Sequence, residues 1–371
     1  YKPIAIIVKS ISITSIIILS YFFTFYDKFL LNKLLLRDII FLKEGRYMKK
    51  MSFLLGSIKP TTINSLLNVR NKVKEKSNKH FILLDMIYCS LRYQAAFYDY
   101  LEFEFYSINN KQRKTYLTNG KNNEIVKTFN DKNYWYLLDD KAEFNKLYKK
   151  YLNRDFLLPN SSIEEFNSFI KNKDRVIVKP VDGVGGVGIK IVSTKEENLY
   201  EKYKKYLIEE IIIQNDKLNE IYNKSVNSLR LFTFYDGKNS YLLQSIIKFG
   251  NGNVVDNFSS GGMYAFVSDD GTIITPAIDK NDNIYESHPI TKKQILGFKI
   301  PLFEEAKKTV LEASKELNEI KYIGWDVAIT NDKASIIEGN SYPGVFQIKP
   351  SFSKDKTGIL PKYEKIMNIK L

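Results

Sequence analysis

An α+β chain is predicted, with a helical N-terminal part, a small strand unit around a glycine loop, and a larger antiparallel sheet toward the C-terminus. Three observations predict it. From Asn64 to Ser107 apolar positions such as Ile82, Met86, Leu91 and Tyr93 recur among polar ones at helical spacing. The run Val176-Ile-Val-Lys179-Pro180-Val-Asp182-Gly183-Val-Gly185-Gly186-Val-Gly188-Ile189 reads as strand, loop, strand, with four glycines in six residues. From Leu207 onward the chain alternates β-branched and aromatic runs with Asp-Gly and Asn-Gly turns.

The elements follow in order. Lys114 to Thr118 reads as a short strand ended by an Asn119-Gly120 turn. Asp140 to Tyr151 reads as a helix and Arg154 to Leu158 as a short strand. Pro159-Asn160-Ser161 caps a helix from Ile163 to Lys171. The Lys179 strand and the glycine loop come next, then a helix around Glu196 to Lys205. Strands are expected at Leu229 to Tyr235, Ser240 to Phe249 and Ala265 to Ser268, with an amphipathic helix from Phe303 to Ile320 packed on them. Tyr322 to Ile329 and Ala334 to Asn340 form a closing hairpin across Asn331-Asp332. The expected parts are 48–153 (helical), 154–208 (lid) and 209–371 (sheet), after a segment 1–47 of separate character.

That segment holds an uncharged apolar stretch, Ser10 to Tyr26, at the short limit for a membrane span. Two expectations compete for it. Lys2 and Lys9 in front of the stretch suit a membrane anchor. Against that, Lys43-Glu44-Gly45 before Met48 can be read as the codons of a ribosome-binding sequence, which makes 1–47 translated upstream DNA.

Composition narrows the chemistry. A single cysteine, Cys89, excludes a disulfide framework and a cysteine-based zinc site. Two histidines, His80 and His288, argue against a histidine metal site. The formal net charge of +14 suits a nucleic-acid surface, an anionic membrane or an anionic substrate. Much of the excess lies on Lys/Glu faces such as Thr194 to Lys205, and no zinc-finger spacing or RNA-binding signature occurs, so no nucleic acid is expected. A membrane partner is expected only if 1–47 belongs to the protein.

Two motifs carry chemistry. Glycines let backbone N–H groups approach an anion, and Lys179 beside them points to phosphate; the competing reading is a hairpin with a loose turn. The P-loop and dinucleotide fingerprints do not fit, because no Gly-Lys-Ser/Thr opens a helix and a strand follows the glycines. In the closing hairpin, Asp326 and Glu338 can lie near one another, and Asn340 faces the same way as Glu338. Two carboxylates and an amide oxygen are a hard set that suits Mg2+; exposed acids on a polar face are the alternative.

Taken together, these motifs resemble the ATP-grasp superfamily, in order along the chain from about Asp85. The resemblance implies an ATP-grasp fold, with a small lid subdomain and a larger antiparallel-sheet catalytic subdomain, using ATP and Mg2+. It implies Lys141 and Lys179 as the two phosphate lysines, and Gly183, Gly185, Gly186 and Gly188 as the loop that closes over the phosphates. Leu207 to Ile213 becomes the hinge, where backbone groups around Ile212 meet adenine and Glu209 or Glu210 meets ribose. Arg230 becomes the phosphate arginine, and Asp326, Glu338 and Asn340 the metal set. Asn257, Gly261 and Gly262 are candidates for a further phosphate or substrate loop, with a plain turn as the rival.

Four segments are similar to the sugar-transfer associated ATP-grasp group, related to α-L-glutamate ligases. They are Asp99-Tyr100-Leu-Glu102-Phe-Glu-Phe105-Tyr106, Ser225-Val-Asn227-Ser-Leu-Arg230, Asn257-Phe-Ser-Ser-Gly261-Gly262, and His288-Pro289 with Ile300-Pro301. The expected activity is carboxylate–amine ligation through an acyl phosphate, with Arg230 and Lys179 catalytic, acting on small-molecule or sugar-acid substrates. The expected setting is cytoplasmic surface-polysaccharide synthesis, beside other enzymes of that process. A phosphotransferase and a non-catalytic ATP-binding scaffold for glycosyltransferases are the alternatives. Each residue also has a plainer reading: Lys141 as a surface lysine, one of Glu209 and Glu210 as solvated, Arg230 as a structural ion pair, His288 as a loop residue.

Overall fold

A computed structural model describes residues 60–77, 80–181, 188–252 and 261–371. The expectations for 1–47, Gly183, Gly185, Gly186 and Asn257 lie outside the described residues. Two compact units divide the chain, Tyr1–Leu67 and Asn68–Leu371. Of the first, only the opening of the helix Pro60–Lys76 is described.

The second unit begins with helices Ile82–Tyr93, Phe97–Glu102, Asn110–Arg113 and Asn119–Phe129. Two sheets follow, one small and one large. The first has four strands in the order β1-β4-β2-β3: β1 (Phe156–Leu157), β2 (Arg175–Lys179), β3 (Lys190–Ser193) and β4 (Leu207–Glu209). Its own core is Phe166, Val176, Val178, Val192, Leu199 and Ile208. Phe166 comes from the helix Ile163–Ile170, which Ser162 and Glu165 open with a reciprocal capping box.

The second sheet has seven antiparallel strands in the order β11-β10-β5-β6-β7-β8-β9. They are β5 (Leu229–Tyr235), β6 (Ser240–Phe249), β7 (Met263–Val267), β8 (Ala277–Asp279), β9 (Ile284–Tyr285), β10 (Tyr322–Ile329) and β11 (Ala334–Asn340). The period of two divides its faces. Leu229, Leu231, Ile247, Trp325 and Val327 point to one side, where they pack with Phe303, Ala306, Val310 and Ala313 of the helix Phe303–Ala313. The other side is covered at one end by Phe232, Phe234 and Tyr322 against the helices Asn119–Phe129 and Leu360–Met367. The rest of that second face carries the polar residues described below.

Three local expectations are corrected. Residues 114–118 form no strand, and Asn119-Gly120 is not a turn; it opens a helix capped by the Thr118 side chain. Gly120 is there for close approach, since a Cβ would lie 2.5 Å from the Gln94 carbonyl oxygen, to which Gly120 N–H donates at 3.2 Å. The helix expected to reach Ile320 ends at Ala313, where Ser314 Oγ donates to the Leu311 carbonyl and the chain turns to bridge Ile320 to Asn130. The helix expected from Asp140 to Tyr151 is two, Lys141–Leu147 and Lys149–Leu152, broken at Tyr148.

Candidate active site

The second face of the large sheet carries a row of charges across three adjacent strands. Arg230 on β5 stands directly opposite Asp326 on β10, and Asp326 stands directly opposite Glu338 on β11. Directly opposed side chains share a face, with Cβ atoms about 4.5–5.5 Å apart. Arg230 grips Asp326 with two N–H groups: Nε donates to Oδ1, and Nη2 donates to Oδ2 at 2.7 Å. Nη2 also lies 3.9 Å from Glu338 Oε1.

A β-bulge puts Glu338 in that row. The pairing runs Val327↔Ile336 and then Asp326↔Glu338, so Ile337 is an extra residue on β11. Ala334 and Ile336 belong to the apolar core. Unbroken alternation would send Glu338 to that core side; the bulge turns it over, beside Asp326. Gly339 takes the core-side position, against Phe144 and Trp325.

Lys248 completes the cluster. It lies on β6, two residues from Ile246, the partner of Arg230, and so on the same face. Its Nζ donates to Asp326 Oδ2 at 2.9 Å from a buried position. Burial pushes the Asp326 carboxyl up, but Arg230 and Lys248 together more than offset it and hold it well below the usual carboxylate range. Glu338 moves the other way, raised by burial and by the neighbouring Asp326 charge. Its side chain is 46% exposed, so water moderates both effects.

Mg2+ fits this set. A raised carboxyl opposite an ionised one is the like-charge strain that a divalent cation relieves. Asn340, two residues past Glu338, donates its amide N–H to the Gly324 carbonyl at 3.1 Å, which leaves its Oδ1 as an acceptor. Asp326 accepts three hydrogen bonds of about four it can take, and its remaining contact is with the Glu338 carboxyl, where a metal between the two would stand. Among the described residues no three His, Cys, Asp or Glu side chains cluster, and Mg2+ commonly takes only one or two carboxylates with water and phosphate oxygens.

Lys179, at the end of β2, is buried in the small sheet and donates to Glu209 Oε2 at 2.7 Å. Glu209 also accepts from Arg154 Nε at 2.9 Å and Nη2 at 3.3 Å, and from Asn145 Nδ2 at 2.6 Å. Four donors fill all four lone-pair sites of that carboxylate. Burial opposes its charge, but Lys179 and Arg154 hold its carboxyl well below the usual range. Glu209 therefore ties the lid together and has no acceptor left for a ribose hydroxyl. Glu210 is about one-third exposed, accepting from Asp155 N–H at 2.9 Å and pairing with Lys173 at 3.1 Å.

Arg154 reaches further, donating to the Ile336 carbonyl of β11 at 2.6 Å and to Ser335 Oγ at 3.1 Å. A chain of bonds thus runs from Lys179 through Glu209 and Arg154 to the strand that carries Glu338. Lys141 is the first residue of its helix, behind the Asp140 cap, and partly buried. Asn145 is one turn on and on the same face, so the helix presents Lys141 on its Glu209 side.

The remaining candidates are more scattered. Ile212 is partly buried on the segment between β4 and the helix Asp216–Ile221. Gly188 lies two residues before β3, and Gly261 and Gly262 lead into β7. His288 is fully buried, stacked on Tyr222 with ring centroids 4.9 Å apart. Its Nδ1 accepts from Ile290 and Thr291 N–H while Nε2 meets the Gly250 carbonyl at 2.9 Å, so the neutral ring is a structural clamp. Asn227 is structural as well, donating to Gln214 Oε1 and to the Leu218 and Tyr222 carbonyls.

Lys248, Arg154 and Asn145 were missed by sequence reasoning. The signal for Lys248 was legible: one lysine in the apolar strand run Ile246-Ile247-Lys248-Phe249, at the period of Ile246. Nothing local marks Arg154 or Asn145, whose partners are 55 and 64 residues away.

Residues 120–354 match the family model described as sugar-transfer associated ATP-grasp, well over half of the chain. The chain belongs to that family. Membership brings the ATP-grasp fold and supports an ATP-dependent ligase in general terms. No curated protein matches the sequence. Similar solved structures include the ATP-grasp ligase PsnB with its minimal precursor, at 13% identity and TM-score 0.37, covering 66% of this chain and 59% of that one. Another is D-alanine–D-alanine ligase from Bacillus anthracis, at 19% identity and TM-score 0.35, covering 62% of each chain. A third is phosphoribosylamine–glycine ligase from Thermotoga maritima, at 14% identity and TM-score 0.36, covering 56% of this chain and 49% of that one. The ATP-grasp protein thus spans about three-fifths of the length of the first two. Among its described residues no helix is long and apolar enough to cross a membrane.

Proposed function

We propose that this protein is a Mg·ATP-dependent carboxylate–amine ligase that works through an acyl phosphate in the assembly of surface polysaccharide. The observation that carries the reading is the row Arg230–Asp326–Glu338, with Lys248 on the same face. A dense cationic pair held in place by one carboxylate, next to a second carboxylate and an amide oxygen, suits a phosphoryl group with its metal.

Glu338, Asn340 and Asp326 would hold Mg2+, which when bound neutralises phosphate oxygens and favours the leaving group. Lys141 and Lys179 would hold phosphates as point charges, Lys179 being kept rigid by Glu209. Arg230 offers a planar fork to the transferring group, and Asp326 fixes that fork. A substrate carboxylate oxygen takes the γ-phosphoryl group; the bond to the bridging oxygen breaks and ADP leaves. The amine nitrogen then bonds the acyl carbon, the carbon–oxygen bond to phosphate breaks, and the nitrogen gives up a proton.

The test is ADP release from the full chain across a panel of sugar acids and amino acids, with hydroxylamine present or absent. Hydroxamate formation that depends on ATP and on a carboxylate supports the ligase. A stable phosphoester with no hydroxamate makes the protein a phosphotransferase. Nucleotide binding with no turnover on any substrate leaves a scaffold.

A further inference from the structure

A cavity of about 240 Å³ lies beside the charge row on the same sheet face. Tyr264 of β7 and Ile278 of β8 form its floor, the loop after Asn340 supplies Phe346 and Lys349, and the N-terminal helices supply Tyr98 and Glu102. Register joins it to the row. Tyr264 stands directly opposite Lys248, which bonds Asp326. The loop joins it a second time. Pro343 lies against Gly324 beside Arg230, so closely that a Cβ on Gly324 would sit 2.8 Å from the proline Cβ. Phe346, three residues on, touches both Phe232 and Tyr264, with ring centroids 6.0 and 4.9 Å away. One segment thus leads from Asn340 across the face to the cavity.

The lining carries charge of both signs: Lys72, Lys280 and Lys349 stand with Glu102, Asp279 and Asp282, as a zwitterionic amino acid would need. Asp279 is consumed by its own turn, accepting from Asn281, Asn283 and Tyr285. Asp282 is held by Lys349 at 2.6 Å and by Lys76. Glu102 has no hydrogen-bond or ion-pair partner among the described residues. Its recess raises the carboxyl to about 7, burial first and the Asp99 charge next, although its outer side stays open to water. A carboxylate beside aromatic rings receives an ammonium group twice over, by charge-assisted hydrogen bonds and by cation–π attraction. The volume is below the roughly 300–1,000 Å³ of drug-sized sites, which suits one amino acid or one sugar ring.

We propose that this cavity is the amine subsite, and that it takes a small molecule with a primary ammonium group, held by Glu102 against Tyr98, Tyr264 and Phe346. The inference rests on the ligase reading. Arg230 and Lys248 would draw the carboxylate to the row and Glu102 the ammonium to the adjoining cavity; the ammonium gives one proton to the Glu102 carboxylate before its nitrogen attacks the acyl carbon. Phe346 and Pro343, on one loop, would set the distance between them.

The test is calorimetric titration of the full chain with D-glucosamine and a panel of amino acids, with D-glucose as the hydroxyl control, each with and without Mg·ADP. At least one amine should bind while D-glucose does not. Glu102→Gln should weaken that binding at least tenfold, and Tyr98→Ala, at a half-exposed position, severalfold, both with Mg·ADP affinity unchanged. Failure of every amine to bind, or equal binding by Glu102→Gln, overturns the subsite while Mg·ADP binding keeps the ligase reading alive. Absence of Mg·ADP binding sinks both.

Discussion

Replacing Glu209 by Gln tests whether this residue organises the lid or touches the nucleotide. The substitution keeps shape and removes one charge. In the native protein that charge answers two buried cations, Lys179 at 2.7 Å and Arg154 at 2.9 Å, and receives Asn145 at 2.6 Å. Glutamine leaves both cations without an anion, and its amide nitrogen would face a donor. Removing one partner of a buried ion pair costs about 3–5 kcal/mol. The neighbouring Glu210→Gln is the internal control. Glu210 is 35% exposed and pairs with Lys173 at the surface, so its loss should cost about 0–1 kcal/mol. Urea denaturation of both variants beside the wild type reads the difference, and Mg·ATP titration shows what each does to nucleotide affinity. Glu209→Gln should be the far less stable of the two, with Arg154→Ala close to it. If Glu209→Gln unfolds within about 1 kcal/mol of wild type and loses only ATP affinity, the carboxylate is a ribose contact and the hub argument is wrong.

Further outcomes follow from the same geometry. On the proposed mechanism, Lys248→Met should cut turnover about 10²–10³-fold with nucleotide affinity largely kept, read by steady-state kinetics, because it removes a cation of the charge row and leaves Arg230 on Asp326. Gly324→Ala should destabilise by about 1–3 kcal/mol and weaken substrate binding, since the new Cβ collides with Pro343 and crowds Arg230; thermal denaturation and KM measure the two effects. Asp99 is fully buried and its carboxyl is raised by burial to about 6, against Ala96 and Asn119 donors that pull it down. The unfolded chain ionises first, so this residue's contribution to stability should fall as pH rises from about 4 to about 6 and then level off. Denaturation of wild type and Asp99→Asn across that range should show stability falling more steeply with pH in the wild type, and equal slopes would refute the assignment.

Much of the site was legible because it rests on short-range pattern. Val176 to Lys179 alternates toward a strand end, which the structure has as Arg175–Lys179. Tyr322–Ile329 and Ala334–Asn340 are strands at the predicted bounds, since β-branched runs flank an Asn-Asp turn. The helix Asn119–Phe129 was hidden by an Asn-Gly pair that looks like a turn. Only the packing of Gly120 on Gln94 reveals why a glycine stands in a first turn.

By itself the sequence determined the family, the order of its parts and the residue types that can hold phosphate and metal, because those depend on local periodicity and on side-chain chemistry. Tertiary structure decided which of them meet. The extra residue Ile337 turns Glu338 away from the core and sets it opposite Asp326, a choice made by how β11 registers on β10. Three residues from separate parts of the chain, Asn145, Arg154 and Lys179, converge on Glu209 and make it a hub, while Glu210, its chemical twin and next neighbour, is left at the surface. Identical side chains one residue apart point to opposite faces of a strand, and only the fold says which face is occupied.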